Sequence, residues 1–159
     1  MLKIGIYGGT FNPPHKEHIL LCKNAIKELS LDKMLVIPTS VSPHKQSSKV
    51  ASGTDRLNML RVAFSKDSQV EVSDYEIVKQ GVSYTYQTIE HFSSVYKDSE
   101  IYFFVGSDML ENFPTWKNPE YIASKVNMVL CERKGDNIDT KTIISVYEKL
   151  YNKKVKALN

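Results

Sequence analysis

The sequence contains only two cysteines in 159 residues, Cys22 and Cys131, set far apart and each in apolar company. That excludes a disulfide framework and reads as two reduced core thiols. Long apolar runs are missing: none approaches the ~20 residues of a membrane span. Met1-Leu2-Lys3-Ile4 runs straight into a strand pattern and lacks the layout of a signal peptide. Charge of one sign is also scarce. The 21 Lys and Arg against 18 Asp and Glu leave a net +3, too little to argue for nucleic acid as the main partner, yet suited to a pocket for anions. Internal repeats and low-complexity stretches are absent. The expectation left standing is a cytoplasmic protein with no membrane and no nucleic-acid partner.

What is present is ordinary globular usage, 42% hydrophobic and 25% charged, which argues against disorder. The length fits one domain, able to bury roughly 70% of the surface its unfolded chain exposes. Short apolar runs read as strands: Ile4-Gly5-Ile6-Tyr7, Met34 to Pro38, Val70 to Ser73, Ile101 to Val105 and Val126 to Cys131. Lys153 to Leu158 looks like the start of one more. Between them lie stretches with helical spacing. After His15 the apolar positions are Ile19, Leu20, Cys22, Ala25, Ile26 and Leu29, with Lys16, Lys23 and Lys27 on the other face. Asp55 to Ser65, Ser83 to Tyr96 and Thr140 to Leu150 read as further helices. The second of these is entered through hydroxyl residues suited to an N-cap. A short helix is expected from Gly106-Ser107-Asp108. Thr39 to Gly53 is a polar loop, long enough to be functional or mobile.

Strands alternating with helices predict an α/β fold: a Rossmann-like open, mostly parallel sheet with helices on both faces. Ligands bind such sheets beyond the carboxyl ends of the strands. The segments after Tyr7, Ile37, Val105 and Cys131 therefore share one rim, and they hold most of the unusual residues.

The strongest chemical signal comes after the first strand, at Gly8-Gly9-Thr10-Phe11-Asn12-Pro13-Pro14-His15-Lys16-Glu17-His18. Gly8 and Gly9 would let the backbone turn tightly and approach a ligand. Their amides and the amino end of the next helix form a partial positive site for phosphate. His15 and His18, three apart, project from one face and could donate hydrogen bonds to phosphoryl oxygens as charge builds. The pattern is neither a Walker loop nor Gly-x-Gly-x-x-Gly. Two other readings stay open. A Gly-Gly turn after a strand is common, and a His-x-x-His pair also serves as two metal ligands, though only distant His44 and His91 offer a further imidazole.

This segment resembles the (H/T)xGH signature of the nucleotidyltransferase superfamily, and within it the bacterial nicotinate-nucleotide adenylyltransferases. Further segments match in order: Ile37-Pro38 through Pro43-His44-Lys45, Ser83-Tyr84-Thr85-Tyr86, Gly106-Ser107-Asp108-Met109, and Trp116. The resemblance runs from Lys3 to about Gly135 as a single nucleotidyltransferase-like domain over 1–159. Pantetheine-phosphate adenylyltransferase shares the first motif but is not expected to carry the later ones.

The resemblance implies a reaction in which nicotinate mononucleotide and ATP give deamido-NAD and pyrophosphate, with no covalent enzyme intermediate. Mg²⁺ would travel with the ATP phosphates, held by substrate and water, with no tightly bound cofactor. It implies His15 and His18 on the ATP phosphates, His18 above all in the transition state, and Gly8, Gly9, Thr10 and Phe11 cradling the reacting phosphates. Gly106 and Asp108 would receive the nucleotide, Asp108 accepting from the ribose, and Arg133 could face it from the rim. Lys45 is a cation suited to phosphate. Tyr84 and Thr85 would meet the nicotinate end, and Trp116 could stack on the pyridine ring. Each has a structural alternative: a solvated lysine, a half-buried aromatic, a packed indole, an N-cap aspartate, a surface arginine. A homo-oligomer is compatible with all of this.

Two departures stand out. The family has glycine in the third place of the histidine motif, and this chain has Glu17, whose bulk and charge would weaken ATP binding unless it points away. The family's closing Ile-Ser-Ser-Thr-x-Ile-Arg segment, which binds the outer ATP phosphates, should begin about where this sequence stops at Lys156-Ala157-Leu158-Asn159, so the 159-residue form is expected to lack that segment and its triphosphate clamp. Both predict weak or absent turnover for the 159-residue form. They keep a second reading open, a domain that holds nucleotide without catalysing.

Overall fold

Along each strand, successive side chains face opposite layers, and in this chain both layers are apolar. In the run Ile101 to Val105, Ile101, Phe103 and Val105 join one buried cluster while Tyr102 and Phe104 join another. A strand buried on both faces belongs inside a parallel sheet covered by helices. The computed structural model, which describes residues 1–40, 51–79, 81–131 and 139–158, shows that arrangement. β1 (Leu2–Gly9), β2 (Lys33–Pro38), β3 (Val70–Val72), β4 (Ser99–Val105), β5 (Val126–Cys131) and β6 (Val155–Leu158) form one sheet in the order β3-β2-β1-β4-β5-β6. Every neighbouring pair is parallel.

The helices divide between the faces. α1 (Lys16–Leu29) and α2 (Gly53–Ala63) cover one side, where Cys22, Ala25 and Leu29 meet Leu60, Met34, Val36 and Phe104. These α1 residues recur three and four apart, so one stripe is buried while Lys16, Glu17 and Lys23 face solvent. The helix ends at Ser30, whose φ of 53° closes the last turn in the left-handed region. The other side carries α4 (Thr85–Val95), α5 (Ser107–Asn112), a 3-10 turn (Phe113–Thr115), α6 (Pro119–Lys125) and α7 (Thr140–Tyr151). There Ile89, Phe92, Leu110, Ile122 and Tyr147 pack on Ile4, Ile6, Leu35 and Met128. α3 (Tyr75–Lys79) bridges β3 and α4. β1 and its neighbour pack so closely at Gly5 that a Cβ there would sit 2.8 Å from Met34 Sδ.

The expected elements differ from the observed ones in three places. α2 begins earlier, at Gly53, because the Ser52 hydroxyl caps it by accepting from the Asp55 amide at 3.1 Å. α4 starts later, at Thr85, with Tyr84 as N-cap and no side-chain cap bond; the Ser83 hydroxyl instead lies 3.3 Å from that of Ser40. α3 and α6, at five and seven residues, are too short for helical periodicity to show. Both cysteines are free thiols, and burial pushes each up to about 12, so they stay protonated. Among the described residues no helix is long and apolar enough to cross a membrane.

Candidate active site

The order of strands reverses between β1 and β4, whose chains leave the sheet to opposite sides and open a crevice at their carboxyl ends. Ile6 pairs with Phe103, so the last residues of the two strands lie side by side. The loop leaving β1 forms one wall of the crevice, and Gly106-Ser107-Asp108 forms the next.

Gly8 and Gly9 do not make the expected tight turn. Both belong to β1 and pair with Ile37 and Pro38 of β2. The bend comes at Phe11, which holds φ at 50°, a left-handed conformation that costs a non-glycine residue roughly 1–2 kcal/mol. Gly9 is needed for space: a Cβ on it would press to 3.2 Å from the Phe11 ring. Phe11 is buried and sits edge-on to Tyr7, ring centroids 5.3 Å apart, and to His18 at 5.0 Å.

His15 is the N-cap of α1, and His18 lies in its first turn. The His15 backbone N–H donates to His18 Nδ1 at 2.8 Å. A neutral His18 therefore carries its proton on Nε2, where the ring acts as a donor. The two imidazoles stack with centroids 5.1 Å apart and planes 28° from parallel. The exposed His15 and half-buried His18 thus converge at the amino end of a 14-residue helix, where amide dipoles favour an anion. Glu17 stands in the same first turn with its side chain exposed. Among the described residues no group of three His, Cys, Asp or Glu side chains could hold a metal ion.

Sequence reasoning missed Arg56. It reads as one more polar residue on an amphipathic helix, yet it is only 1% exposed. Its Nη1 donates to the carbonyls of Thr10 (2.9 Å) and Thr39 (2.6 Å), and its Nε to that of Ala51 (3.0 Å). Burial lowers its pKa from the usual 12.5, but a guanidinium remains charged.

At the far end of the crevice, Tyr84 caps α4 and is half-buried, with Thr85 in the first turn. Lys117 places its ammonium 4.9 Å from the Tyr84 ring centre, which brings the segment after the 3-10 turn against the start of α4. Lys117 also went unnoticed in the sequence, where a lone lysine carries no signal. Trp116 is half-buried against Phe113 (5.0 Å) and Phe103 (6.2 Å), so part of its indole is committed to packing. Asp108 is exposed in the first turn of α5, and Gly106, not Asp108, is the N-cap. Behind α4, the buried Glu76 carboxylate accepts from the Thr88 hydroxyl at 2.6 Å. Lys45 and Arg133 lie outside the described residues.

The chain has relatives in sequence and in fold. The cytidylyltransferase-like family model covers residues 6–155. A Clostridium tetani protein described as a probable nicotinate-nucleotide adenylyltransferase is 39% identical over 140 residues, 88% of this chain and 70% of the relative. One from Clostridium novyi with the same description is 38% identical over 98% of this chain and 78% of its own length. The fold superimposes on Plasmodium falciparum nicotinic acid mononucleotide adenylyltransferase complexed with NaAD, with a TM-score of 0.79, 21% identity, and coverage of 100% of this chain and 75% of that one. A reversed sheet order with a stacked histidine pair just beyond β1 at the switch point, and relatives of this identity along most of their length, place the chain in the nicotinate-nucleotide adenylyltransferase family.

Proposed function

We propose that the protein transfers the adenylyl group of ATP to the 5′-phosphate of nicotinate mononucleotide, giving deamido-NAD and pyrophosphate. A phosphate oxygen of the mononucleotide attacks the α-phosphorus in line. A new P–O bond forms as the bond to the β-phosphate bridging oxygen breaks, and its electron pair leaves with pyrophosphate. Nothing in this step needs a covalent enzyme intermediate, so the protein's contribution is positioning and charge stabilisation.

The observation that carries the reading is the stacked His15–His18 pair at the start of α1, directly beyond β1 at the switch point. His18, oriented by the His15 amide, donates from Nε2 to the phosphoryl oxygens that gain charge, with His15 beside it. Gly8, Gly9, Thr10 and Phe11 line the phosphates. Gly106 and Asp108 receive the nucleotide ribose across the crevice. Tyr84, Thr85 and Trp116 take the nicotinate end, where the start of α4 and the Lys117 ammonium favour a carboxylate. Magnesium arrives as part of the substrate, on the ATP phosphates. Lys45 and Arg133 complete the phosphate and nucleotide contacts in this reading. The work is that of the cytoplasm, in keeping with two free thiols.

The test is pyrophosphate release with ATP, magnesium and, in parallel, nicotinate mononucleotide, nicotinamide mononucleotide and phosphopantetheine as acceptors. Release is expected with the first, more slowly with the second and not at all with the third. Release only with phosphopantetheine, or with none of them, contradicts the assignment.

A further inference from the structure

We propose that Arg56 is the positioning residue of the phosphate loop: its buried guanidinium grips the Thr10 carbonyl and so aims the Phe11 amide at the polyphosphate.

In a trans peptide the carbonyl oxygen and the following N–H point in opposite directions. Arg56 Nη1 holds the Thr10 oxygen at 2.9 Å, so the Phe11 N–H is directed away from the Arg56 side of the loop. Phe11 stays there in a left-handed conformation, φ 50°, which persists only where the surroundings over-determine it. Its ring is wedged between Tyr7 and His18, and Arg56 holds the carbonyl just ahead of it.

The same nitrogen donates to Thr39 at 2.6 Å, Nε to Ala51 at 3.0 Å and Nη2 reaches Ser40 at 3.5 Å. Three segments are thereby fastened to one planar fork: the loop after β1, the end of β2 and the lead into α2. Asn12 adds a parallel tie, its Oδ1 accepting from the Ala51 amide at 3.1 Å. Among the described residues every hydrogen bond of Arg56 goes to a main-chain carbonyl, and no carboxylate neutralises it. A buried cation without a counter-ion is costly on its own.

The inference rests on the reading of this loop as the phosphate site, and its test separates the two. Pyrophosphate, the reaction's product, is titrated into ¹⁵N-labelled protein while the Phe11 amide is followed. In the wild type that amide is expected to move downfield and saturate. Arg56→Lys keeps the charge but offers one nitrogen where three served. It is expected to keep the fold, by dispersion of the amide spectrum, and to bind pyrophosphate about tenfold more weakly, the loss of one misaligned hydrogen bond to a charged group. Arg56→Ala is expected to regain binding when ethylguanidinium is added. A Phe11 amide that ignores pyrophosphate in the wild type overturns the proposal. So does Arg56→Lys with wild-type affinity, or Arg56→Ala unmoved by ethylguanidinium. Failure of the adenylyl-transfer reading shows differently: the wild type binds pyrophosphate through Phe11, yet releases none from ATP and nicotinate mononucleotide.

Discussion

The backbone N–H of His15 donates to Nδ1 of His18 at 2.8 Å, and this bond decides which nitrogen of His18 carries the proton. A neutral His18 ring is a donor at Nε2 because its other nitrogen is occupied as an acceptor. The same bond satisfies one amide at the open end of α1, so a single side chain serves helix and chemistry together.

Replacing His18 with alanine separates those two roles. The loss of a transition-state donor is expected to lower kcat by about 10²–10³-fold. The lost cap bond is worth about 1 kcal/mol, a fall in Tm of roughly 2–4 °C. Steady-state pyrophosphate release and thermal unfolding of the same sample measure both.

Glu17 puts a negative charge in the first turn of α1, beside the proposed phosphate site. It stabilises the helix dipole but opposes an anionic ligand. Glu17→Gln is expected to tighten ATP binding about two- to fivefold, the scale of an exposed charge near a helix end. The gain should fade above about 0.5 M salt as screening sets in, and calorimetry at two salt concentrations shows whether it does.

In the proposed function, the Lys117 ammonium over the Tyr84 ring gives the nicotinate end a cation that tells a carboxylate from a carboxamide. Lys117→Gln is expected to raise KM for nicotinate mononucleotide about three- to tenfold, the scale of one charge-assisted contact, while leaving KM for the amide form nearly unchanged. Parallel kinetics with the two mononucleotides check it, and an equal rise in both would show a packing role.

Glu76 is 7% exposed. Burial, the largest influence, pushes its carboxyl above the usual 4.5, against the Thr88 and Ser83 hydroxyls and Lys79, which favour the charged form. A carboxyl with a raised folded pKa contributes stability below its unfolded value and loses it as pH rises through the folded one. The stability of the wild type relative to Glu76→Gln is therefore expected to fall as pH climbs upward from about 4.5. Urea unfolding of both proteins across that range follows the difference.

Much of this was legible in the residues because local pattern and final environment agree. Ile101 to Val105 is apolar at every position since both faces of β4 are covered, and a run of that kind reads as a buried strand before any fold is known. His15 and His18 were legible because a residue at the N-cap and one three places on, in the first turn, meet at a helix start whatever the rest of the chain does. Arg56 was not. Its meaning depends on Thr10, Thr39 and Ala51 arriving at one point, two of them from other elements of the sheet rim, and nothing within its own helix announces that. The turn was placed at Gly8-Gly9 because glycine is the residue that turns cheaply, but the sheet claims both glycines and the strain moves to Phe11. The Ser83 hydroxyl before α4 faces Ser40 rather than the helix end for a similar reason: a tertiary partner outcompetes a local one.

The most direct test of the account is ¹⁵N NMR of the imidazole nitrogens as ATP with magnesium is added. The account predicts that His18 keeps its proton on Nε2, that this nitrogen and the His15 ring shift as ATP saturates, and that His91, stacked on Tyr75 at 4.0 Å, does not respond. Saturation with ATP that leaves the His15 and His18 signals in place, or a His18 protonated on Nδ1, would contradict it.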